Sequence, residues 1–224
     1  MGPLGARRRV AMGRPVAMGR PVARLVARWL MARRRPRLGA RRGPRLGAGR
    51  CLLLSQDDYY HDLSHLSVEE RGRRNFDHPS AVDFDMLADH LGQLASGSPI
   101  DAPQYDFRSH SRERPFRLLA PRQYIILEGI LLFADQRVRD RLSLRIFLDI
   151  PADLRLARRI LRDTRERGRK ADEVIHQYLG AVRPMHVAHV QPWTSEADIL
   201  FDDGVSPGMM VDQIIQRIIS NASP

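Results

Sequence analysis

Cysteine and lysine are almost absent: the 224-residue chain has one of each, Cys51 and Lys170. A lone thiol excludes an intramolecular disulfide and a multi-cysteine zinc cluster, and it suits a reducing compartment, for which the cytoplasm is the simplest expectation. Long apolar runs are missing too. The best candidate, Ile125 to Ala134, is short and contains Glu128, whereas a spanning helix needs about 18 or more consecutive apolar residues, so no membrane partner is expected. Acidic residues and serine are absent from the first fifty positions, which carry 15 arginines.

That last absence reshapes the charge balance. The net charge of +11 suggests a polyanion partner, yet removing those 15 arginines leaves 22 basic against 26 acidic residues in the remainder, a balance of −4. A nucleic-acid reader carries its basic footprint on the folded surface or on a dedicated arm, so only the arm could serve, and no nucleic-acid partner is expected. Residues 1–50 repeat Ala11-Met-Gly-Arg-Pro-Val at Ala17 and Arg-Pro-Arg-Leu-Gly-Ala, from Arg35, again as Gly-Pro-Arg-Leu-Gly-Ala from Gly43. Proline and glycine at this density break helices and like charges repel, so the segment is expected to be irregular. A transit peptide and an anionic-surface arm are two readings of it. The leading one is out-of-frame translation of GC-rich DNA, which yields this Arg/Gly/Pro/Ala mixture.

What remains, residues 51–224, is long enough for one domain with its own core. Leu52-Leu53-Leu54 reads as a buried strand that stops at Ser55-Gln56-Asp57-Asp58-Tyr59-Tyr60. Ser67-Val68-Glu69-Glu70 has capping-box spacing and predicts a short helix from Val68. Phe84, Leu87, Leu91 and Leu94 fall at helical spacing behind an Asp83 cap, with Gly97 as the stop. Ser98 to Arg122, with four prolines, predicts a hairpin outside the main sheet. Further strands are expected at Tyr124–Leu127, buried and ending at Glu128, at Leu144–Leu148 and at Ala197–Phe201, with a last helix over 211–219. A helix over 153–166 is expected to set Leu154, Ala157, Ile160 and Leu161 on one side and Arg155, Arg159 and Arg162 on the other. Strands alternating with helices predict an α/β fold with a mainly parallel sheet flanked by helices.

Carboxylates after apolar strands sit where open α/β sheets bind ligands. Glu128 can orient magnesium, an arginine-rich helix can neutralise a transferring phosphoryl group, and Asp57 can take a proton from an acceptor hydroxyl. Taken singly, each has an ordinary reading as a turn or a solvated face. His186 and His189, three apart, read as two surface histidines rather than a metal pair, which would need further ligands.

Five segments in fixed order narrow the choice: Ser55 to Tyr60; Asn75-Phe76-Asp77-His78-Pro79; Tyr105-Asp106-Phe107 with Ser109-His110-Ser111-Arg112; Leu127-Glu128-Gly129-Ile130-Leu131; and Arg158 to Asp163 continuing through Glu166-Arg167-Gly168-Arg169. Together they resemble the uridine kinase (uridine-cytidine kinase) family over roughly residues 52–204; phosphoribulokinase, in the same superfamily, fits the Tyr105/His110 and Arg167-Gly168-Arg169 segments less well. The resemblance implies a three-layer P-loop kinase fold with a small hairpin subdomain, a homotetramer, and transfer of the ATP or GTP γ-phosphoryl to the 5′-hydroxyl of uridine or cytidine with Mg2+. By motif position it makes Asp57 the general base, Asp77 the holder of the ribose hydroxyls, and Tyr60, Tyr105 and His110 the frame of base and sugar. Gln177 and Arg169 complete the nucleoside side, Glu128 and Asp57 support magnesium, Phe107 packs the pocket wall, and Arg159, Arg162 and Arg167 form a lid on the phosphates.

One part is missing. Kinases of this kind begin with a strand and a G-x-x-x-x-G-K-[ST] loop whose amides and lysine cradle phosphates. Gly43 to Cys51 is at best a degraded copy, with spacing off by one, arginine for lysine and cysteine for the hydroxyl. The expectation is therefore an unpaired apolar sheet edge and little or no kinase activity, with a nucleoside-binding or regulatory relative as the alternative.

Overall fold

The computed structural model describes Leu46 and residues 48–221; the expectations for the first 45 residues lie outside the described residues. Strand β1 (Cys51–Ser55) and strand β4 (Tyr124–Glu128) pair in parallel, with Ser55 opposite Glu128. Strands β5 (Ile146–Leu148) and β6 (Ile199–Phe201) form a second parallel pair. Between β1 and β4 come helices α1 (Val68–Gly72) and α2 (Phe84–Ala95), then the antiparallel hairpin of β2 (Ile100–Asp106) and β3 (Ser111–Leu119). A short helix α3 (Gln136–Arg139) precedes β5. Helix α4 (Ala152–Arg167) follows it, then α5 (Ala171–Gln177), a π-helical segment (Tyr178–Val182) and α6 (Arg183–His189), and α7 (Pro207–Asn221) closes the chain. The α/β character with parallel pairing is as the sequence predicts.

Local chemistry sets the boundaries. Ser67 and Glu70 form the capping box at α1, and the Asp83 carboxylate accepts from the Met86 amide at the start of α2. Helix α2 ends where Gly97 takes φ +88°, a left-handed conformation open to glycine at little cost. Its face of Leu87, Ala88, Leu91 and Leu94 is buried in the larger core, with Leu54, Tyr59, Ile100 and Leu131. A second core joins Cys51 and Phe201 to Met210, Val211, Ile214 and Ile215 of α7.

Two expectations fail. Strand β4 is only half-buried along Tyr124 to Leu127. The two parallel pairs do not join into one sheet among the described residues, and a cavity of about 640 Å³ is lined by every residue of both β4 and β5. Ile125 and Leu127 also pack on the larger core and Ile146 and Leu148 on the second, and no further strand pairs with β4 or β5 among the described residues. Helix α4 fails in the opposite sense. Arg159 and Asp163 are its buried residues, whereas Ala157 and Leu161 of the predicted apolar side are exposed, Leu161 at 51%. Its charged side faces inward because Asp163 supplies a buried counter-charge there, so the arginines meet a partner and not bare hydrocarbon.

Candidate functional site

The parallel register puts Ser55 and Glu128 side by side at the carboxyl ends of β1 and β4, where the Ser55 hydroxyl donates to Glu128 Oε1 at 2.6 Å. Glu128 and Asp57 are buried, at 4% and 1% exposure. Between them lies Gln56, fully buried, whose Oε1 accepts from the Leu131 amide at 2.8 Å. That bond fixes the loop after β4. A Cβ on Gly129 would collide with the Gln56 side chain, so the glycine of Leu127-Glu128-Gly129 lets the two strand-end segments meet. Sequence reasoning gave Gln56 no role; its only signal is a polar residue between an apolar strand and the two aspartates.

The hairpin brings an aromatic cluster to the same region. Tyr60 meets Phe76 at 5.3 Å between ring centroids and Tyr105 at 5.4 Å, Tyr105 meets Phe107 at 5.2 Å, and Phe76 stacks on His110 at 4.9 Å. The Tyr60 hydroxyl donates to the Phe76 carbonyl. Two buried atoms of this cluster, the Tyr105 hydroxyl and His110 Nδ1, find no hydrogen-bond partner among the described residues. Burial and, secondarily, the Arg71 charge lower the His110 pKa against the pull of Asp106, favouring the neutral ring. His110 sits at φ 51° in the hairpin turn, a conformation uncommon outside glycine.

Two arginines hold the hairpin in place. Arg112 donates to the Tyr60 carbonyl at 2.9 Å and pairs with Asp83 at 3.0 Å, so the α2 cap also anchors β3. Arg71 of α1 donates to the carbonyls of Leu66, Ser109 and Ser64. Neither was assigned a site role from sequence, although Arg112 lies within one of the five segments. Both act on backbone carbonyls, contacts that leave no pattern in a sequence.

On the other side lies a cluster of guanidiniums around one carboxylate. Arg162 and Arg167 reach Asp163 Oδ1 at 2.9 and 3.1 Å, and Arg169 and Arg159 approach Oδ2 at 3.5 and 3.7 Å. Gln177 Oε1 accepts from Arg159 at 2.9 Å and from Arg169 at 2.8 Å. Arg159 also stands in the field of Asp77, whose pKa burial raises and Arg159 lowers. Asp77, Arg159, Arg169 and Gln177 therefore form one connected group. Arg159 adjoins both sets, meeting Asp163 with Arg162 and Arg167 and meeting Gln177 with Arg169.

The cavity touches this ensemble at one end. Asp77, Glu128, Arg155 and His186 line it, whereas Asp57, Tyr60, Tyr105 and His110 do not. His186 is half-buried: burial, then Arg155, lowers its pKa to about 4, and its Nδ1 has no hydrogen-bond partner among the described residues. His189 instead packs its ring on His78 at 4.7 Å. The two do not form a pair, and no group of three or more potential metal ligands occurs among the described residues.

Residues 39–207 match the Phosphoribulokinase / Uridine kinase family. The chain belongs to that family. By family it is a phosphotransferase of the kinase type. It is 42% identical over 167 residues to a uridine kinase of Clostridium tetani, covering 75% of this chain and 80% of that protein. It is 45% identical to one of Bacillus licheniformis (75% and 79%) and 43% identical to one of Aeromonas salmonicida (76% and 80%). Among solved structures, a protein described provisionally as a fructose transport system kinase from Silicibacter sp. TM1040 superposes with TM-score 0.53 at 20% identity, over 67% of this chain and 74% of that one. The YFH7 protein of Saccharomyces cerevisiae, provisionally a P-loop kinase with a circular permutation, does so with TM-score 0.52 at 14% identity, over 68% and 57%. At these identities the two structures speak for the fold alone. No helix among the described residues is long and apolar enough to cross a membrane.

Proposed function

We propose that residues 51–224 form a nucleoside kinase domain whose substrate is uridine or cytidine and whose donor is ATP or GTP. The observation that carries the nucleoside reading is the pair of buried atoms, Tyr105 hydroxyl and His110 Nδ1, without partners in an aromatic cluster. Buried polar groups are normally hydrogen-bonded, and a pyrimidine edge supplies both a donor and an acceptor beside a flat face that stacks on rings. Named uridine kinases at 42–45% identity point the same way.

In this reading Asp57 accepts the proton of the 5′-hydroxyl as its oxygen attacks the γ-phosphorus. The bond from that phosphorus to the bridging oxygen breaks, and ADP or GDP departs with the electron pair. Asp77 holds the ribose hydroxyls with Arg159 beside it, Tyr60 and Phe107 wall the base, and Arg169 and Gln177 close the nucleoside side. Arg162 and Arg167 face the phosphates. Glu128 and Asp57 are hard oxygen donors at adjacent strand ends, which fits Mg2+, an ion held by one or two carboxylates with phosphate and water; bound there, it would offset phosphate charge.

Pyrimidine salvage in the cytoplasm by a homotetramer completes the proposal. Out-of-frame translation is proposed for the segment 1–50 as far as residue 38, since the family match begins at residue 39 and Leu46 packs with Cys51 and Phe201; the phosphate-binding loop would then be encoded in another frame. Phosphoryl transfer depends on positioning and electrostatics, so the 224-residue chain is expected to bind uridine in calorimetry and to release little or no ADP. Uridine-dependent ADP release from the purified chain would overturn the loss of activity. Absence of uridine binding would overturn the nucleoside assignment.

A further inference from the structure

The carboxylate at the centre of the arginine cluster has no part in the chemistry above, yet every lid arginine reaches it. Asp163 is completely buried. Its two oxygens are loaded unequally. Oδ1 accepts from Arg162 at 2.9 Å and lies 3.1 Å from Arg167, whereas Arg169 and Arg159 stay at 3.5 and 3.7 Å from Oδ2. The looser pair is the one that donates to Gln177, and Arg159 of that pair stands in the field of Asp77. The tighter pair belongs to the phosphate side.

Four guanidiniums meet Asp163, and Asp77 adds a second carboxylate beside Arg159, so among these groups positive charge outnumbers negative. In a buried setting such an excess favours an anion. Backbone ties hold the carboxylate's own residue still: the amides of Gly168 and Arg169 both donate to the Asp163 carbonyl where α4 ends.

We propose that Asp163 is a positioning residue that couples the two halves of the site. A phosphate group that draws Arg162 and Arg167 away from Oδ1 frees the carboxylate to tighten on Arg159 and Arg169. That tightening orders the Gln177 and Asp77 side for the nucleoside. Coupling between sites is reciprocal, so nucleoside also tightens phosphate. The inference rests on the nucleoside kinase reading and adds a residue that touches neither substrate.

The test is calorimetry on the full chain with two probes, uridine and inorganic tripolyphosphate, each titrated with and without the other. In the wild-type chain tripolyphosphate is expected to tighten uridine by about fivefold or more. In Asp163→Asn, which keeps the shape and removes the charge, the expected change is below twofold while each probe still binds alone. If Asp163→Asn does not fold, Asp163→Glu carries the same test, with coupling expected to fall at least twofold below wild type because the added methylene displaces the carboxylate. Coupling unchanged in the folded variant, or absent from a wild-type chain that binds both probes, overturns the proposal. A wild-type chain that binds tripolyphosphate but no uridine instead overturns the nucleoside assignment, and this inference with it.

Discussion

Helices α2 and α4 both pack against the body of the domain, but they bury opposite kinds of surface. Helix α2 turns Leu87, Leu91 and Leu94 into the core and leaves its acids outside. Helix α4 buries Arg159 and Asp163 and leaves Leu161 half-exposed. The first arrangement stabilises the fold through removal of apolar surface from water. The second costs desolvation of charge, which a mutual ion pair offsets only in part; under the proposed function it holds guanidiniums for the phosphates. One helix serves the fold and the other serves the site.

Substitutions break this contrast in graded steps. Asp163→Ala leaves four guanidiniums around an emptied position and is expected to cost about 3–5 kcal/mol in denaturant unfolding. A loss below about 1 kcal/mol would mean that the cluster is solvated. Leu87→Ala, at a fully buried position, is expected to cost about 2–5 kcal/mol while the folded fraction keeps its uridine affinity; a parallel loss of affinity would show that α2 also shapes the site.

Asp77→Asn should weaken uridine binding by roughly 10- to 100-fold, the worth of a charge-assisted hydrogen bond, and should raise stability at neutral pH. The sign follows from its raised pKa. Stability from Asp77 is fully present below the ordinary value of 3.8 and is lost as pH rises through the folded value, so the ionised group works against folding. Melting temperatures at pH 7 that fall in the variant would contradict this.

His186 behaves in reverse. Its folded pKa near 4 lies below the ordinary 6.5, so the unfolded chain binds more protons between those values and wild-type stability should decline as pH falls from 6.5 to 4. His186→Gln should decline less over that window, and equal slopes would remove His186 as the cause. Smallest of all, Leu161→Glu on the outer side of α4 should change unfolding free energy by no more than about 0.5 kcal/mol; a large loss would put that leucine in a contact beyond the described residues.

Much of the fold was legible. The capping box at Ser67, the Asp83 cap, the Gly97 stop and the hairpin over 98–122 are local devices, set by neighbours a few residues apart, and they appear where the sequence puts them. The inward side of α4 was not legible, because helical periodicity assigns the apolar side to the core, and Asp163 four residues from Arg159 reads equally well as half of a solvated surface pair. Gln56, Arg71 and Arg112 were missed for a related reason, since their partners are backbone groups up to 75 residues away.

The sequence by itself determined the α/β alternation, the capped helix ends, the carboxylates at the ends of β1 and β4, and the absence of a lysine-bearing phosphate loop. These follow from short-range sterics, hydrogen-bond capacity and composition. Only the tertiary structure decided that Ser55 meets Glu128, that Phe76 stacks on His110, that β4 and β5 line one cavity, and that four arginines converge on Asp163. Those outcomes depend on which distant groups share a buried space, where charge must find charge and apolar surface must find a neighbour.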